Sequence, residues 1–251
     1  MKISYIYGMR LMDWMRLLID SGFHIAPEYL SRAGVVTLCS VVNSLLGSLE
    51  DLLYGRRIED VEIESHPLFI LGHPRSGTTH LHNLLILDPR FAAPTFQQVF
   101  FPHTFLYTER AFTRIFGPRL PETRGFDKME LRLETPQEEE LALCSLGSLS
   151  VYMSMLFPHR VNHYMKYLSL RELSPNEKQR WKKTYVRYLK KLTFRFNRRL
   201  VLKSTPHTAK ISTLLELFPD ARFVHISRHP YNVFQSNFQG SMQSDPESKA
   251  I

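Results

Sequence analysis

The stretch Phe69–Thr79, FILGHPRSGTT, decides the fold. It overlaps the apolar run Pro67–Gly72, which ends at a glycine and is typical of a buried β-strand. Gly72 and Gly77 are separated by four residues, and leucines at helical spacing predict a helix over Thr78–Leu87. A strand, a glycine-containing loop and a helix N-terminus form an anion-binding element, because backbone N–H groups at the helix start point at the ligand. The stretch therefore predicts a phosphate-binding loop.

The side chains of this loop indicate which anion it binds. Ser76, Thr78 and Thr79 add hydroxyl donors, and Arg75 adds a charged, forked set of N–H donors. In nucleotide triphosphatases a lysine at position 78 would reach the β- and γ-phosphates, and the hydroxyl after it would hold Mg²⁺. Since this lysine is absent, we expect an anion shorter than a triphosphate, bound without a metal ion.

Two further strands are predicted, each followed by a helix. Arg199–Ser204 precedes a helix over Thr208–Phe218, and Ala221–Ser227 precedes a helix that begins at Pro230. Parallel strands require such crossovers, so the pattern predicts an α/β fold with a P-loop-like parallel sheet flanked by helices. All three strands end in polar residues, and ligands bind at the carboxyl ends of the strands in such sheets.

Helices are predicted on either side of these units. Residues 9–54 read as helical, and two capping boxes with proline at the first helical position start helices at Thr135-Pro136-Gln137-Glu138 and Ser174-Pro175-Asn176-Glu177. Glu138–Glu140 are interpreted as charges that stabilise the first of these helix N-termini. The second helix carries a buried stripe at helical spacing, formed by Trp181, Tyr185, Tyr188, Leu189, Leu192 and Phe196.

We predict three segments along the chain. Residues 1–60 form an N-terminal helical extension, residues 61–240 form the α/β domain, and residues 241–251 form a polar tail. The apolar stretch Ala33–Leu49 is interrupted by serines and an asparagine, so a packed helix ending at Gly55 is favoured over a membrane span. The composition of residues 33–49 is also compatible with a peripheral contact between this helix and a membrane. The N-terminus lacks the pattern of a signal peptide, and we expect a cytoplasmic location.

Composition and charge limit the class of protein. The 251 residues are 43% hydrophobic, which excludes a mostly disordered chain, and two cysteines exclude a disulfide scaffold. The formal net charge of +8 indicates an anionic partner, which could be nucleic acid, a membrane surface or a phosphorylated small molecule. The run Arg180–Lys203 has ten basic residues and no acidic one. A solvated face around the aromatic stripe is the favoured interpretation of that run.

Two segments resemble a known enzyme family. Gly72–Thr79, GHPRSGTT, resembles the 5′-phosphosulfate-binding loop of the sulfotransferases that use 3′-phosphoadenylyl sulfate. Arg222–Asn237, RFVHISRHPYNVFQSN, is similar to the 3′-phosphate motif of that family, in which a strand ends in an arginine and a serine follows eight positions later. Leu200–Ser204 resembles the strand that carries the family's lysine near the transferred group. Phe218–Pro230 is most similar to the bacterial-type branch, and the resemblance covers roughly residues 65–240.

This resemblance implies an activity, a donor and a set of site residues. It implies transfer of a sulfuryl group from 3′-phosphoadenylyl sulfate to a hydroxyl or amine, without a metal ion. Lys203 would lie at the bridging oxygen that leaves. The acceptor would be a small molecule, a glycan or a lipid, and no nucleic acid is expected as a partner. The residues expected to bind the donor are Arg75, Ser76, Gly77, Thr78 and Thr79 at the 5′-phosphosulfate, and Arg228 and Ser236 at the 3′-phosphate.

The residue that activates the acceptor is less evident. Cytosolic members of the family place a histidine two positions after the lysine, where this chain has Thr205. His207, two positions further on, is our first candidate for the general base. Other branches use a glutamate after the phosphate-loop helix, and the corresponding region here offers Gln97, which cannot take a proton, and His103.

The chain departs from the family after the 3′-phosphate motif. Family members continue into a basic segment that closes over the nucleotide, whereas this sequence ends fifteen residues after Ser236. We therefore expect a C-terminally truncated member with weakened donor binding or activity. Two alternatives stay open: a P-loop nucleotide kinase or triphosphatase, and a non-enzymatic basic protein that binds nucleic acid or membrane.

Overall fold

A parallel β-sheet lies at the centre of the computed structural model, which describes residues 4–63, 66–116 and 133–243. Within these ranges the sheet has four strands in the order β2-β3-β1-β4. Each pair of neighbours is parallel. The strands are β1 Leu68–Gly72, β2 Phe91–Ala92, β3 Arg199–Lys203 and β4 Arg222–Ile226.

Helices connect the strands and cover the sheet. The described helices are α1 Leu11–Asp20, α2 Leu30–Glu59, α3 Thr78–Ile86, α4 Phe96–Phe100, α5 Phe105–Phe116, α6 Glu140–Ser145, α7 Met153–Leu156, α8 Val161–Ser169, α9 Pro175–Phe196, α10 His207–Leu217 and α11 Pro230–Gln243. Short 3-10 turns lie at Tyr5–Gly8, Pro27–Tyr29 and Pro158–Arg160. The α/β fold class and the three strand–loop–helix units predicted from sequence are confirmed.

Alternation along the strands divides the interior into two layers. Leu68 and Ile70 of β1 pack with Val201 of β3 in a small cluster on the face covered by α3. Phe69 and Leu71 point the other way, into the larger core shared with the other helices. Because both faces are covered, β1 is buried at every position, as expected for a central parallel strand.

The N-terminal region forms two helices with a break between them. The helical pattern over residues 9–54 is interrupted by residues 21–29, and α2 continues past Gly55 to Glu59. One face of α2 packs on the protein through small and polar residues such as Ser40, Asn43 and Gly47. The opposite face leaves apolar side chains in solvent, so the helix is packed on one side only.

This helix is also long and apolar enough to cross a bilayer. The segment Pro27–Glu59 has a window with a mean hydropathy of 1.4, and 28% of that window is buried inside the protein. Length and composition are the only grounds for that observation.

One of the two predicted capping boxes is present. Ser174 accepts a hydrogen bond from the backbone of Glu177 and the glutamate returns the bond, so α9 begins at Pro175 as predicted. The prediction that a helix starts at Thr135 is wrong, because α6 begins at Glu140. Thr95 forms an antiparallel bridge with Pro136, and this pairing takes the place of the helix predicted there.

The basic run that ends at β3 is largely paired with acids. Arg187 contacts Asp51 and Glu59 of α2, Lys182 contacts Glu216, and Arg195 contacts Glu109. The aromatic stripe on the other side of α9 is buried, with Phe196 only partly so. The run therefore holds α9 against its neighbours as well as facing solvent.

The hydrophobic core is continuous across the predicted boundary at residue 60. Met9, Trp14 and Val36, from the predicted extension, belong to the same buried cluster as Phe69 of β1. The division at residue 60 stays a prediction. The predicted tail begins inside α11, which extends to Gln243, and residues 244–251 lie outside the described residues.

Candidate active site

The loop between β1 and α3 has a backbone that depends on its glycines. Gly77 has φ = 103° and ψ = 8°, a left-handed conformation that favours glycine. At Gly72 a Cβ would lie 2.8 Å from both Ser76 Oγ and Thr78 Cγ2, so the loop folds back onto that residue. Arg75 is also left-handed, with φ = 68°. Strained backbone of this kind is concentrated at ligand sites.

The start of α3 provides backbone donors to the loop. Gly77 is the residue before the first turn, and no side chain caps the helix. The N–H groups of the first turn therefore have no partner within the helix and point into the concave side of the loop. Ser76 Oγ is buried and makes no hydrogen bond in the structure.

Arg75, Arg228 and Ser236 lie together at the mouth of the loop. Arg75 Nε donates to Ser236 Oγ at 3.1 Å, and Arg228 Nη1 donates to the carbonyl of Arg75 at 2.9 Å. These contacts follow from the sheet, because β1 and β4 pair in register from Leu68–Arg222 to Gly72–Ile226. The two motifs that are far apart in sequence thus meet at one edge of the sheet. All three side chains are open to solvent or only partly covered.

Lys203 reaches the same edge from the other neighbour of β1. Its ammonium nitrogen lies 3.2 Å from Thr79 Oγ1, and it forms an ion pair with the Glu138 carboxylate. The lysine side chain is 5% exposed and that of Glu138 is 20% exposed. Lys203 therefore lies beside the loop, and its role at the bridging oxygen stays a prediction.

Glu138 is joined to a second set of hydroxyls. Tyr152 donates a short hydrogen bond to Glu138 Oε2, and Ser204 Oγ lies 3.3 Å from the same oxygen. Tyr152 also lies 3.0 Å from Thr205 Oγ1. Burial, followed by the charge of Glu138, raises the pKa of Tyr152 well above its usual value, so the phenol stays a donor. The interpretation of Glu138 as a helix-terminal charge is wrong, since α6 starts two residues later.

His207 lies deeper than Lys203. It is 1% exposed, contacts the Glu139 carboxylate, and packs edge-on against Phe69 with ring centroids 5.1 Å apart. Burial is the largest single influence and would raise the pKa of Glu139, but the contact with His207, together with smaller contributions from a backbone hydrogen bond and from His82, holds that pKa below its usual range. The structure thus brings His207 to a buried carboxylate, and its role as general base stays a prediction.

The other polar candidates have different neighbours. Gln97 is buried, with its side-chain amide directed at Thr108 of α5, and His103 Nε2 lies 3.3 Å from the Ser145 carbonyl. His82 is buried and donates to the Val201 carbonyl at 3.2 Å, and burial lowers its pKa to about 4. Within the described ranges, no three His, Cys, Asp or Glu side chains form a group that could hold a metal ion.

Sequence reasoning missed Glu138 and Tyr152. A signal was present: the run Glu138–Glu140 and the cations at positions 203, 207 and 210 could pair one to one. Recognising it required knowing that residues 138–140 lie against the end of β3 and the start of α10.

Comparison with known proteins identifies the family to which the chain is similar. A sequence model of the family described as Sulfotransferase family matches residues 67–249. Two curated relatives, from Mycobacterium bovis and Mycobacterium tuberculosis, are each named omega-hydroxy-beta-dihydromenaquinone-9 sulfotransferase. Each is 39% identical over 229 residues, which is 91% of this chain and 59% of the relative. The chain therefore spans about three fifths of the length of these relatives.

Solved structures of the same kind share the fold. A sulfotransferase from Mycobacterium avium aligns with a TM-score of 0.66 and one from Mycobacterium tuberculosis with a TM-score of 0.55. Both are 20% identical to this chain and align with 92% of it, covering 61% and 64% of their own chains.

Proposed function

The chain belongs to the sulfotransferase family, and on that premise we propose that it transfers a sulfuryl group from 3′-phosphoadenylyl sulfate to an acceptor hydroxyl or amine. The observation that carries the proposal is the contact between the two anion-binding motifs, made by Arg75, Ser236 and Arg228. The donor is a nucleotide with a phosphosulfate at the 5′ position and a phosphate at the 3′ position of one ribose. Two adjoining cationic groups match two anions held on one sugar.

Each anion has its own set of residues in this proposal. The N–H groups of the first turn of α3, with Arg75, Ser76, Gly77, Thr78 and Thr79, bind the 5′-phosphosulfate. Arg228 and Ser236 bind the 3′-phosphate. Lys203 stabilises the charge that accumulates on the bridging oxygen as its bond to sulfur breaks. As in phosphoryl transfer, positioning and electrostatic stabilisation carry most of the catalysis, and we expect no metal ion to take part.

The two alternative functions receive less support. A nucleotide kinase or triphosphatase would use a loop lysine where this chain has Thr78. A basic nucleic-acid-binding protein would present its cations to solvent, whereas several cations of the run Arg180–Lys203 are paired with acids. Neither alternative explains why Arg228 lies against the loop.

We propose that the acceptor is an apolar alcohol. The curated relatives are named for a hydroxylated menaquinone, and the protein has a cavity of about 290 Å³ with a mainly apolar lining, which is suited to an apolar chain. One part of the cavity wall is Leu156, the last residue of α7, a short helix whose first residue follows Tyr152 in the chain. Its lining includes Trp14, Leu17, Val36, Leu156 and Phe157.

We also propose a cytoplasmic location with peripheral membrane contact, which is consistent with an apolar acceptor. Leu38, Leu45 and Leu52 of α2 recur every seven residues and are 67%, 69% and 82% exposed. An apolar face of this kind on a helix favours contact with a lipid surface. We therefore propose that the contact expected through residues 33–49 continues along α2 to Leu52.

The proposal is tested by following sulfuryl transfer itself. The chain is incubated with ³⁵S-labelled 3′-phosphoadenylyl sulfate and the isoprenoid alcohol geranylgeraniol, and the labelled sulfate ester is separated by chromatography. We expect product from the wild-type protein, a loss of about 100-fold or more in Lys203→Ala, and no loss in Lys183→Ala, which removes an exposed lysine of α9. Product formation at the same rate in Lys203→Ala would contradict the proposed role.

A further inference from the structure

Three consecutive glutamates contact three basic side chains, one at the end of β3 and two at the start of α10. Glu138 contacts Lys203, Glu139 contacts His207, and Glu140 contacts Lys210. Lys203 is the last residue of β3, and His207 and Lys210 lie three residues apart in the first turn of α10, so the pairs form a ladder that runs inward from the edge of the sheet. The members of the two inner pairs are at most 1% exposed, whereas the Glu138 carboxylate is 20% exposed.

The outermost carboxylate of this ladder is the one that faces the phosphate loop. Glu138 Oε1 contacts Lys203, and Lys203 lies 3.2 Å from Thr79 in the loop. The ammonium group has three N–H donors. Two are directed to Thr79 and Glu138, which leaves one for a leaving oxygen held in the loop. Glu138 thus places a partly exposed carboxylate beside the lysine that faces the loop.

The opposite side of the same carboxylate is fixed by hydroxyl donors. Tyr152 donates to Glu138 Oε2, with Ser204 nearby, and the raised pKa of Tyr152 keeps its proton on the phenol. A carboxylate fixed at one oxygen by neutral donors presents its other lone pairs in a defined direction. The buried pair Glu139–His207 next to it anchors the backbone of residues 138–140.

We propose that Glu138 is the general base of the transfer reaction, an inference that rests on the function proposed above. The acceptor oxygen forms a bond to sulfur while the bond from sulfur to the bridging phosphate oxygen breaks. The electron pair of that bond stays on the bridging oxygen, next to Lys203. The proton of the acceptor hydroxyl moves to the Glu138 carboxylate. His207 is not the base in this scheme, because its side chain is 1% exposed and its Nε2 faces the Glu139 carboxylate.

The substitution Glu138→Gln tests the inference, because it keeps the shape of the side chain and removes its basicity. Calorimetric titration with adenosine 3′,5′-bisphosphate is expected to give a Kd within about threefold of wild type, as this ligand lacks the acceptor. The kcat for geranylgeraniol is expected to fall about 100-fold or more. The acidic limb of the wild-type pH–kcat profile is expected to disappear, which a purely structural role would not cause.

A second acceptor separates base catalysis from positioning of Lys203. With 4-nitrophenol above its own pKa, the acceptor is already ionised and needs no base, so Glu138→Gln is expected to lose less than about tenfold. Equal losses with both acceptors, or a kcat within threefold of wild type with the alcohol, would overturn the inference. A pH profile that changes in His207→Gln but not in Glu138→Gln would also overturn it.

A matched control is Glu216→Gln, which removes an exposed carboxylate that is paired with Lys178 and Lys182. It is expected to leave kcat and the pH profile unchanged. Failure of the proposed function gives a different pattern: the wild-type protein then neither binds the bisphosphate nor transfers label to either acceptor. In that case the inference falls with the function on which it rests.

Discussion

At the scale of single residues, the site depends on backbone conformations that few side chains allow. Gly77 is left-handed, and Arg75 beside it adopts a similar conformation. Glycine carries this conformation at little cost, whereas other residues pay a steric penalty. The backbone of the loop between β1 and α3 therefore depends on the left-handed conformations of Arg75 and Gly77.

Gly77→Ala is expected to lower the free energy of unfolding by about 1–2 kcal/mol, because a Cβ is disfavoured at φ = 103° although nothing lies within 4 Å of it. Bisphosphate affinity is expected to fall as well. Gly55→Ala is the matched control: a Cβ there also meets nothing within 4 Å, but the position is helical. It is expected to raise stability by about 0.5–1 kcal/mol. Urea denaturation measures both, and a Gly77→Ala protein as stable as wild type would contradict the argument.

His82 gives a prediction for the pH dependence of stability. Burial, aided by the charge of Lys203, lowers its pKa to about 4, against an unperturbed value of about 6.5. The unfolded chain therefore binds a proton at a pH where the folded protein does not. The contribution of His82 to the free energy of unfolding is fully present above pH 6.5. It is lost as the pH falls toward 4, and the total loss is about 3 kcal/mol.

The measurement compares wild type with His82→Gln, which keeps a donor for the Val201 carbonyl. Denaturation curves at several pH values are expected to show the difference in unfolding free energy between the two proteins shrinking as the pH falls from 6.5 to 4. A difference that stays constant across this window would show that His82 does not titrate as described.

At the scale of elements, the sequence correctly predicts those helices and strands whose boundaries depend on neighbouring residues. The strand–loop–helix around Gly72 and the capping box at Ser174 depend on residues that are close together in the chain, and both are found where expected. The start of α6 was missed because Thr135-Pro136 satisfies the local pattern of a helix start, while a contact with Thr95, forty residues away, decides the outcome. Glu138 was missed for the same reason, since its partner lies 65 residues further on.

The long helix α2 was predicted in outline only. Its apolar residues are continuous enough to indicate a helix, but a sequence does not say which side of it will be covered. The structure covers the side with Asn43 and Gly47 and leaves Leu38, Leu45 and Leu52 in solvent.

This exposed face is expected to bind anionic lipid vesicles. Burial of a leucine in the interface is worth about 1.5–3 kcal/mol, so Leu38→Gln and Leu45→Gln are each expected to weaken binding by about tenfold or more. Leu215→Gln, at a leucine of α10 that is 40% exposed, is the control and should bind as wild type does. Sedimentation with vesicles of phosphatidylglycerol and phosphatidylcholine measures the effect. Equal sedimentation of all four proteins would contradict a role for α2.

At the scale of the whole molecule, the N-terminal helices and the α/β part share one core and one buried ion pair. Glu50 of α2 and Lys191 of α9 are 0% and 7% exposed. Lys191 also donates to the Pro102 carbonyl, and Glu50 accepts from the Tyr107 backbone at 3.0 Å. Burial raises the pKa of Glu50 and lowers that of Lys191, so each charge depends on the other. This arrangement links regions that are more than 140 residues apart.

Glu50→Gln is therefore expected to destabilise the protein by about 3–5 kcal/mol, since it leaves a buried lysine without its counter-charge. Glu59→Gln removes a more exposed partner of Arg187 and is expected to cost less than about 1 kcal/mol. Far-UV and near-UV circular dichroism should give one coincident melting transition in each protein. Two separate transitions would show that the N-terminal helices fold independently.

The central claim is that Arg75 and Arg228 hold opposite ends of one doubly anionic nucleotide. Calorimetric titration with adenosine 3′,5′-bisphosphate tests it most directly, using wild type, Arg75→Ala, Arg228→Ala and the exposed control Arg90→Ala. A hydrogen bond to a charged group is worth about 1.5–3 kcal/mol, so each of the first two variants is expected to bind about tenfold or more weakly. Arg90→Ala should bind as wild type does. Affinity unchanged by either arginine substitution, or a wild-type protein that prefers ATP–Mg²⁺ to the bisphosphate, would contradict the account.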